Sequence, residues 1–327
     1  MTDKTKILKR IDLLLKIIFF ILTYLYLYYE IFYKKNIDII LSGIREINYF
    51  NLYFVVVLLL MLINWGIEAY KWKYAVNELE KVTYNKALQT IFSSVAIGIF
   101  TPNRVGEIVG RVLFLKKSKI WEATFISTVN SIAQLLVTII TGLLALPFFI
   151  LKIISKYNIH IYMILFSLII CAILLYLYYN IALLSKLSRW KWLQNKEKFI
   201  MQINVFKTFS RRKLSNLLLY SLLRYIVFGI QFILIMKVFS INMNLTESII
   251  IIPIYFLFIT IIPTFALSEI GVRCSVSIYI ISLYGLTQGE WHINLLLATT
   301  LLWLINIFIP AIIGSFFYPL LSINRRK

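Results

Sequence analysis

Glu107 and Arg111 stand four residues apart in a chain that is 61% hydrophobic and holds only 14 acidic residues among 327. At that spacing the two side chains share one face of a helix and can pair. They belong to a polar cluster, Thr101-Pro102-Asn103-Arg104-Val105-Gly106-Glu107. A second cluster of similar residue types lies at Pro263-Thr264-Phe265-Ala266-Leu267-Ser268-Glu269-Ile270-Gly271, with Arg273 close behind. The chemistry such residues offer is anion capture. Arginine stays charged and presents a planar fork of donors suited to phosphate or carboxylate, and a neighbouring glutamate lowers the cost of burying it. Pro102 removes a backbone donor and biases Thr101 away from helix, while Gly106 relaxes the chain, so the first tip is expected to expose free N–H groups at a helix start. In the second cluster Pro263 ends an arm, Ser268 and Glu269 supply polar atoms, and Gly271 allows close backbone packing.

The expected substrate-binding set is therefore Thr101, Pro102, Asn103, Arg104, Gly106, Glu107, Arg111, Arg224, Pro263, Ser268, Glu269, Gly271 and Arg273. A competing reading makes Glu107 and Arg111 a structural ion pair that only locks the two arms. Asn64, Asn130, Gln134, Gln231, Trp303 and Asn306 either line the same cavity or, for the amides, serve as interhelical hydrogen bonds. Glu68 lies near the inner end of the second long apolar run. The three aspartates, Asp3, Asp12 and Asp38, all precede that run. Acid–base or metal-assisted catalysis generally draws on clustered carboxylates or histidines, so no catalytic residue is expected and the chain is not expected to be an enzyme. His160 and His292 are far apart, and Cys171 and Cys274 sit within apolar stretches, which argues for neither a metal, a cofactor nor a disulfide.

These clusters interrupt a strongly apolar chain. A mean hydropathy of +0.84 with 15% charged residues lies outside the soluble globular range and predicts an all-α polytopic membrane protein. The formal charge of +20 does not point to nucleic acid, because the basic residues punctuate apolar runs instead of gathering on a soluble face. Runs of about 20 apolar residues fall at 12–33, 50–70, 122–151, 160–180, 215–237 and 293–319, predicting six full spans. The first lacks a small-residue cleavage site and is expected to be retained. Residues 86–117 and 247–285 each consist of two apolar arms too short to cross, and are drawn as re-entrant hairpins tipped by the polar clusters.

With the hairpins so drawn, twenty-three Lys and Arg residues fall in loops on one side and six on the other. The excess marks the cytoplasmic side and puts both termini there. The count places Lys71 and Lys73 in a cytoplasmic loop, along with a block at 186–213 that holds nine basic residues. That block reads as an amphipathic helix on anionic headgroups or as an ordinary basic loop. Span, hairpin, span occurs twice, at 50–151 and 215–319, with the hairpins entering from opposite faces. This is the inverted-repeat pattern of secondary transporters, whose substrate site lies near the midplane between the copies. The whole chain, 1–327, is thus expected to be one transmembrane domain.

The run Pro102-Asn103-Arg104-Val105-Gly106-Glu107, followed by Arg111, Leu113 and Leu115, resembles the signature of the lysylphosphatidylglycerol synthase transmembrane, or flippase-like, family. Gly271-Val272-Arg273 resembles its second stretch. Where that family usually carries a Gly-rich stretch ending in Arg-Glu, this chain has Ala266 to Cys274, with the acid displaced. The resemblance implies a multi-pass bacterial inner-membrane protein that translocates or scrambles a lipid between leaflets. Its partners would be membrane lipids, anionic or aminoacylated phospholipids, with a homo-oligomer allowed. The aminoacyl-transfer domain of some relatives is not found in these residues, so lipid synthesis is not expected. Two other classes stay open. One is an intramembrane transferase on a lipid-linked substrate, and the other is an accessory protein of envelope biosynthesis that transports nothing.

Overall fold

Apolar runs of this length form helices because hydrocarbon offers no partner for backbone N–H and C=O groups, and a helix satisfies them within the segment. The computed structural model describes residues 52–99, 101–115, 120–153, 157–181, 206, 208–264, 268–286 and 291–324. Among these the regular secondary structure is helical: α1 (Leu52–Val76), α2 (Tyr84–Gly98), α3 (Gly106–Val112), α4 (Ile120–Ile153), α5 (Tyr157–Tyr179), α6 (Arg211–Val238), α7 (Leu245–Ile261), α8 (Ser268–Tyr284), α9 (Trp291–Trp303) and α10 (Ile309–Asn324). A π-helical stretch, Leu304–Phe308, joins α9 to α10.

Five helices among the described residues are long and apolar enough to cross a membrane: Leu52–Val76, Ile120–Ile153, Ile161–Tyr179, Arg211–Val238 and Trp291–Phe317. They coincide with five of the six expected spans. The remaining one, 12–33, lies outside the described residues, as does most of the basic block at 186–213. At about 1.5 Å per residue, α1 reaches roughly 37 Å, enough for a hydrocarbon core of roughly 30 Å. By contrast α2 reaches roughly 22 Å, α3 roughly 10 Å, and α7 and α8 roughly 25 Å each.

Packing follows side-chain size. Gly314 brings α10 against the backbone of α2 at Phe92 and Ser93, and Ser93 Oγ donates to the Gly314 carbonyl at 3.2 Å. Small residues permit such backbone approach between helices in lipid. Gly110 lets α3 rest on Ser94 of α2, and Gly142 lets α4 meet Leu257 of α7. Further contacts join α1 to α6 and α8 to α9. Helix α5 leaves Ile161, Tyr162, Phe166 and Tyr176 exposed, as a helix facing lipid would.

Two expectations about charge need correction. Helix α1 runs past residue 70 to Val76, so Lys71 is no loop residue. It is fully buried, with Nζ 3.4 Å from Glu68 Oε2 and donating to Ser221 Oγ at 3.0 Å. Likewise Arg211–Lys213, the end of the expected basic segment, form the first turn of α6. There Lys213 is buried, 3.1 Å from Glu78. Partners outside the local sequence decided both positions.

Candidate functional site

The two polar clusters meet. Asn103 N–H donates to the Thr264 carbonyl at 2.7 Å, and Thr264 N–H donates back to Asn103 Oδ1 at 2.7 Å, which ties the α2–α3 turn to the end of α7. Asn103 and Arg104 both take positive φ, 48° and 56°, a conformation in which asparagine is among the least strained side chains. Asn103→Ala is expected to lose about 1–2 kcal/mol of stability from backbone strain and the missing hydrogen bond. Asn103→Gly should recover the strain but not the tie, and thermal unfolding of detergent-solubilised protein measures both.

Four amides of the turn are engaged within the protein and are not free as expected. Gly106 N–H donates to Thr101 Oγ1 at 2.8 Å, Thr101 N–H to Gly98, Arg104 N–H to Thr101 and Asn103 N–H to Thr264. Thr101 Oγ1 in turn donates to Gly98 O at 2.8 Å, and Gly106 packs so close to Thr101 that a Cβ would collide with its side chain. Thr101 and Gly106 therefore close the turn, and Pro102 opens its 3₁₀ stretch. The charge at this tip comes from side chains.

Those side chains form one network, and Glu68 is its centre. Glu68 Oε1 accepts from Arg111 Nη1 at 2.6 Å and from Asn130 Nδ2 at 3.1 Å, while its Oε2 accepts from Arg224 Nη1 at 2.5 Å. Arg224 Nε donates to Asn64 Oδ1 at 2.7 Å, and its guanidinium lies 5.5 Å from the centre of the Trp65 ring. Arg111 spans two carboxylates, with Nη2 at 3.2 Å from Glu107, and Arg104 Nη2 meets the other Glu107 oxygen at 2.5 Å. Four cations, Lys71, Arg104, Arg111 and Arg224, thus share two carboxylates, Glu68 and Glu107. In the second cluster Glu269 Oε1 accepts from Arg273 Nε at 3.1 Å and Nη2 at 2.7 Å, a neutral pair.

A cavity of about 410 Å³ opens where the clusters meet. Asn103, Arg104, Glu107, Arg224 and Arg273 of the expected set stand in its wall, joined by Gln134. The Gln134 Oε1 atom is buried without a hydrogen-bond partner among the described residues. The wall does not include Arg111, which sits behind it between Glu68 and Glu107, in the structural role that competed with substrate binding. Ser268, Glu269 and Gly271 are buried in the first turns of α8, where Glu269 holds Arg273, and Pro263 is exposed beside Thr264.

Glu68 and Lys71 are absent from the expected set. The signal was there, since Asn64, Glu68 and Lys71 recur at four- and three-residue spacing in an apolar helix and so share a face. Reading the helix as ending at residue 70 hid it.

The fold and this charged cavity define a multi-pass helical membrane protein with a polar site enclosed among its helices. The chain belongs to the family of the lysylphosphatidylglycerol synthase TM region, whose model matches residues 13–314, nearly the whole sequence. That family suggests a membrane protein of lipid modification or translocation. No curated protein and no solved structure gives a match.

Proposed function

We propose that the chain is a flippase-like protein that passes the headgroup of an anionic phospholipid between leaflets through the cavity between the two tips. The observation that carries this reading is charge. The network around Glu68 and Glu107 holds two more cations than anions, and Arg104, Arg224 and Arg273 stand together in the cavity wall. Uncompensated charge is costly inside a membrane, and a phosphate among these guanidiniums would offset it with bidentate hydrogen bonds. A cationic aminoacyl headgroup would add to the excess, so the anionic lipid is the favoured substrate.

In this reading α2 with α3, and α7 with α8, are re-entrant hairpins that enter from opposite faces, related as an inverted repeat. The protein sits in a bacterial inner membrane with both termini cytoplasmic, supported by the surplus of Lys and Arg on that side. It performs no covalent chemistry and works alone or as a homo-oligomer.

Arg104→Gln tests the assignment cleanly, because Glu107 keeps Arg111 as its partner when Arg104 loses its charge. In vesicles reconstituted with the purified chain and fluorescent phosphatidylglycerol, leaflet exchange is read by quenching the outer label. The variant should exchange about tenfold more slowly, the worth of one charged hydrogen bond, with little change in thermal stability. An unchanged rate would remove Arg104 from the site. Exchange indistinguishable from protein-free vesicles in the wild type would sink the reading as a whole.

A further inference from the structure

We infer that an acyl chain of the translocated lipid is held by the protein, in an apolar groove that continues the headgroup cavity. This rests on the headgroup reading above. The groove, about 480 Å³, lies between α4, α6 and α7. The same three helices wall the cavity, and each passes from one to the other within about a turn. On α4 the cavity ends at Thr138 and the groove begins at Thr141, on α7 Phe256 faces the cavity and Pro253 the groove, and on α6 Tyr225 lines both.

Polarity changes abruptly at that junction. The cavity side carries Arg104, Glu107, Gln134, Arg224 and Arg273. The groove side is aliphatic and aromatic; the Tyr225 hydroxyl, at the junction with the cavity, is buried without a hydrogen-bond partner among the described residues, and the other two hydroxyls are engaged locally. Thr141 donates to the Val137 carbonyl at 2.9 Å and Ser248 to the Asn244 carbonyl at 3.0 Å. Beyond Tyr225 the side chains of this wall offer an incoming group apolar contact. It is also open at the side, where Phe148, Ile226, Ile230 and Ile249 are exposed on helices of membrane-spanning or lipid-facing character. A charged pocket continuous with a laterally open apolar slot matches one molecule with a polar head and a hydrocarbon tail. Water-soluble anions have no use for the slot.

Gly229 supplies the means to test this. It lines the groove, and a Cβ built there comes no closer than 4.0 Å to another group, Ile252 Cγ2, so a side chain can start there without a clash and extend toward the slot. Gly229→Phe fills the slot and Gly229→Leu fills part of it, one helical turn from the headgroup residues. The measurement is binding of dioleoyl phosphatidylglycerol, and separately of the tail-free headgroup glycerophosphoglycerol, to the purified full chain in detergent by native mass spectrometry. Gly229→Phe should weaken the lipid by about tenfold or more, the cost of excluding a few methylenes. Headgroup binding should stay within about twofold, and Gly229→Leu should fall between. Arg104→Gln should weaken both ligands.

Lipid binding by Gly229→Phe and Gly229→Leu equal to wild type, with Arg104→Gln still impaired, would overturn the groove and leave the headgroup cavity standing. Equal loss of both ligands in the Gly229 variants would overturn the separation of tail from head. Full binding of both ligands by Arg104→Gln would instead defeat the headgroup reading on which the groove depends.

Discussion

Glu68→Gln is expected to lower stability by about 3–5 kcal/mol, more than any other single charge change in this protein. The amide keeps the shape of the side chain but leaves its partners without a counter-charge. Glu68 is 1% exposed and touches Lys71, Arg111 and Arg224, and only Arg111 has a second carboxylate within reach. Arg224 would retain Asn64, and Lys71 would retain Ser221, neither of which neutralises a cation. The loss should appear as a lower midpoint in thermal unfolding of the solubilised protein, with reduced yield from the membrane. Glu107→Gln should cost clearly less, since Arg104 is 24% exposed and Arg111 keeps Glu68. If Glu68→Gln proved as stable as wild type, the cations would have to be neutralised by some other group, and the central place given to Glu68 would be wrong.

Gly314→Val is expected to be the next most damaging change, at about 3 kcal/mol or more, through geometry and not charge. The atoms a Cβ would strike at Gly314 are the backbone of Phe92 and Ser93, which cannot rotate away as a side chain could. α10 and α2 would have to separate, breaking the bond from Ser93 Oγ to Gly314 O. Because α2 leads directly into the turn that carries Asn103 and Arg104, the displacement should also reach the tie to Thr264. Unfolding measurements should show the loss, and Gly314→Ala should give an intermediate value. A similar change at Gly229, where a Cβ makes only ordinary van der Waals contact with Ile252, should leave the unfolding midpoint nearly unchanged, which makes the pair an internal comparison.

Much of the fold was legible in the sequence. The spans at 50–70, 122–151, 160–180, 215–237 and 293–319 stand within a few residues of observed helices, because the length of an apolar run and the breaks at Pro102 and Pro263 are local properties. The pairing of Glu107 with Arg111 was legible for the same reason, since i,i+4 neighbours on a helix meet whatever surrounds them. The clusters themselves were visible as polar residues that a bilayer tolerates only when enclosed. The ends of helices were less so. Lys71 looks like the start of a loop, and only a serine on α6, 150 positions away in sequence, and the carboxylate one turn back explain its burial.

The sequence by itself determined that this is a multi-pass helical membrane protein, where five of its spans lie, which residues break the apolar runs, and the family to which it belongs. The tertiary structure alone decided that the two polar tips are joined through Asn103 and Thr264, that Arg104, Arg224 and Arg273 face one cavity while Arg111 turns away from it, and that Glu68 gathers three cations. The reason is physical. Hydropathy and helix periodicity sum over neighbours along the chain, whereas the direction in which a charged side chain finds its partner depends on how distant helices rotate and pack against one another, and no local pattern encodes that.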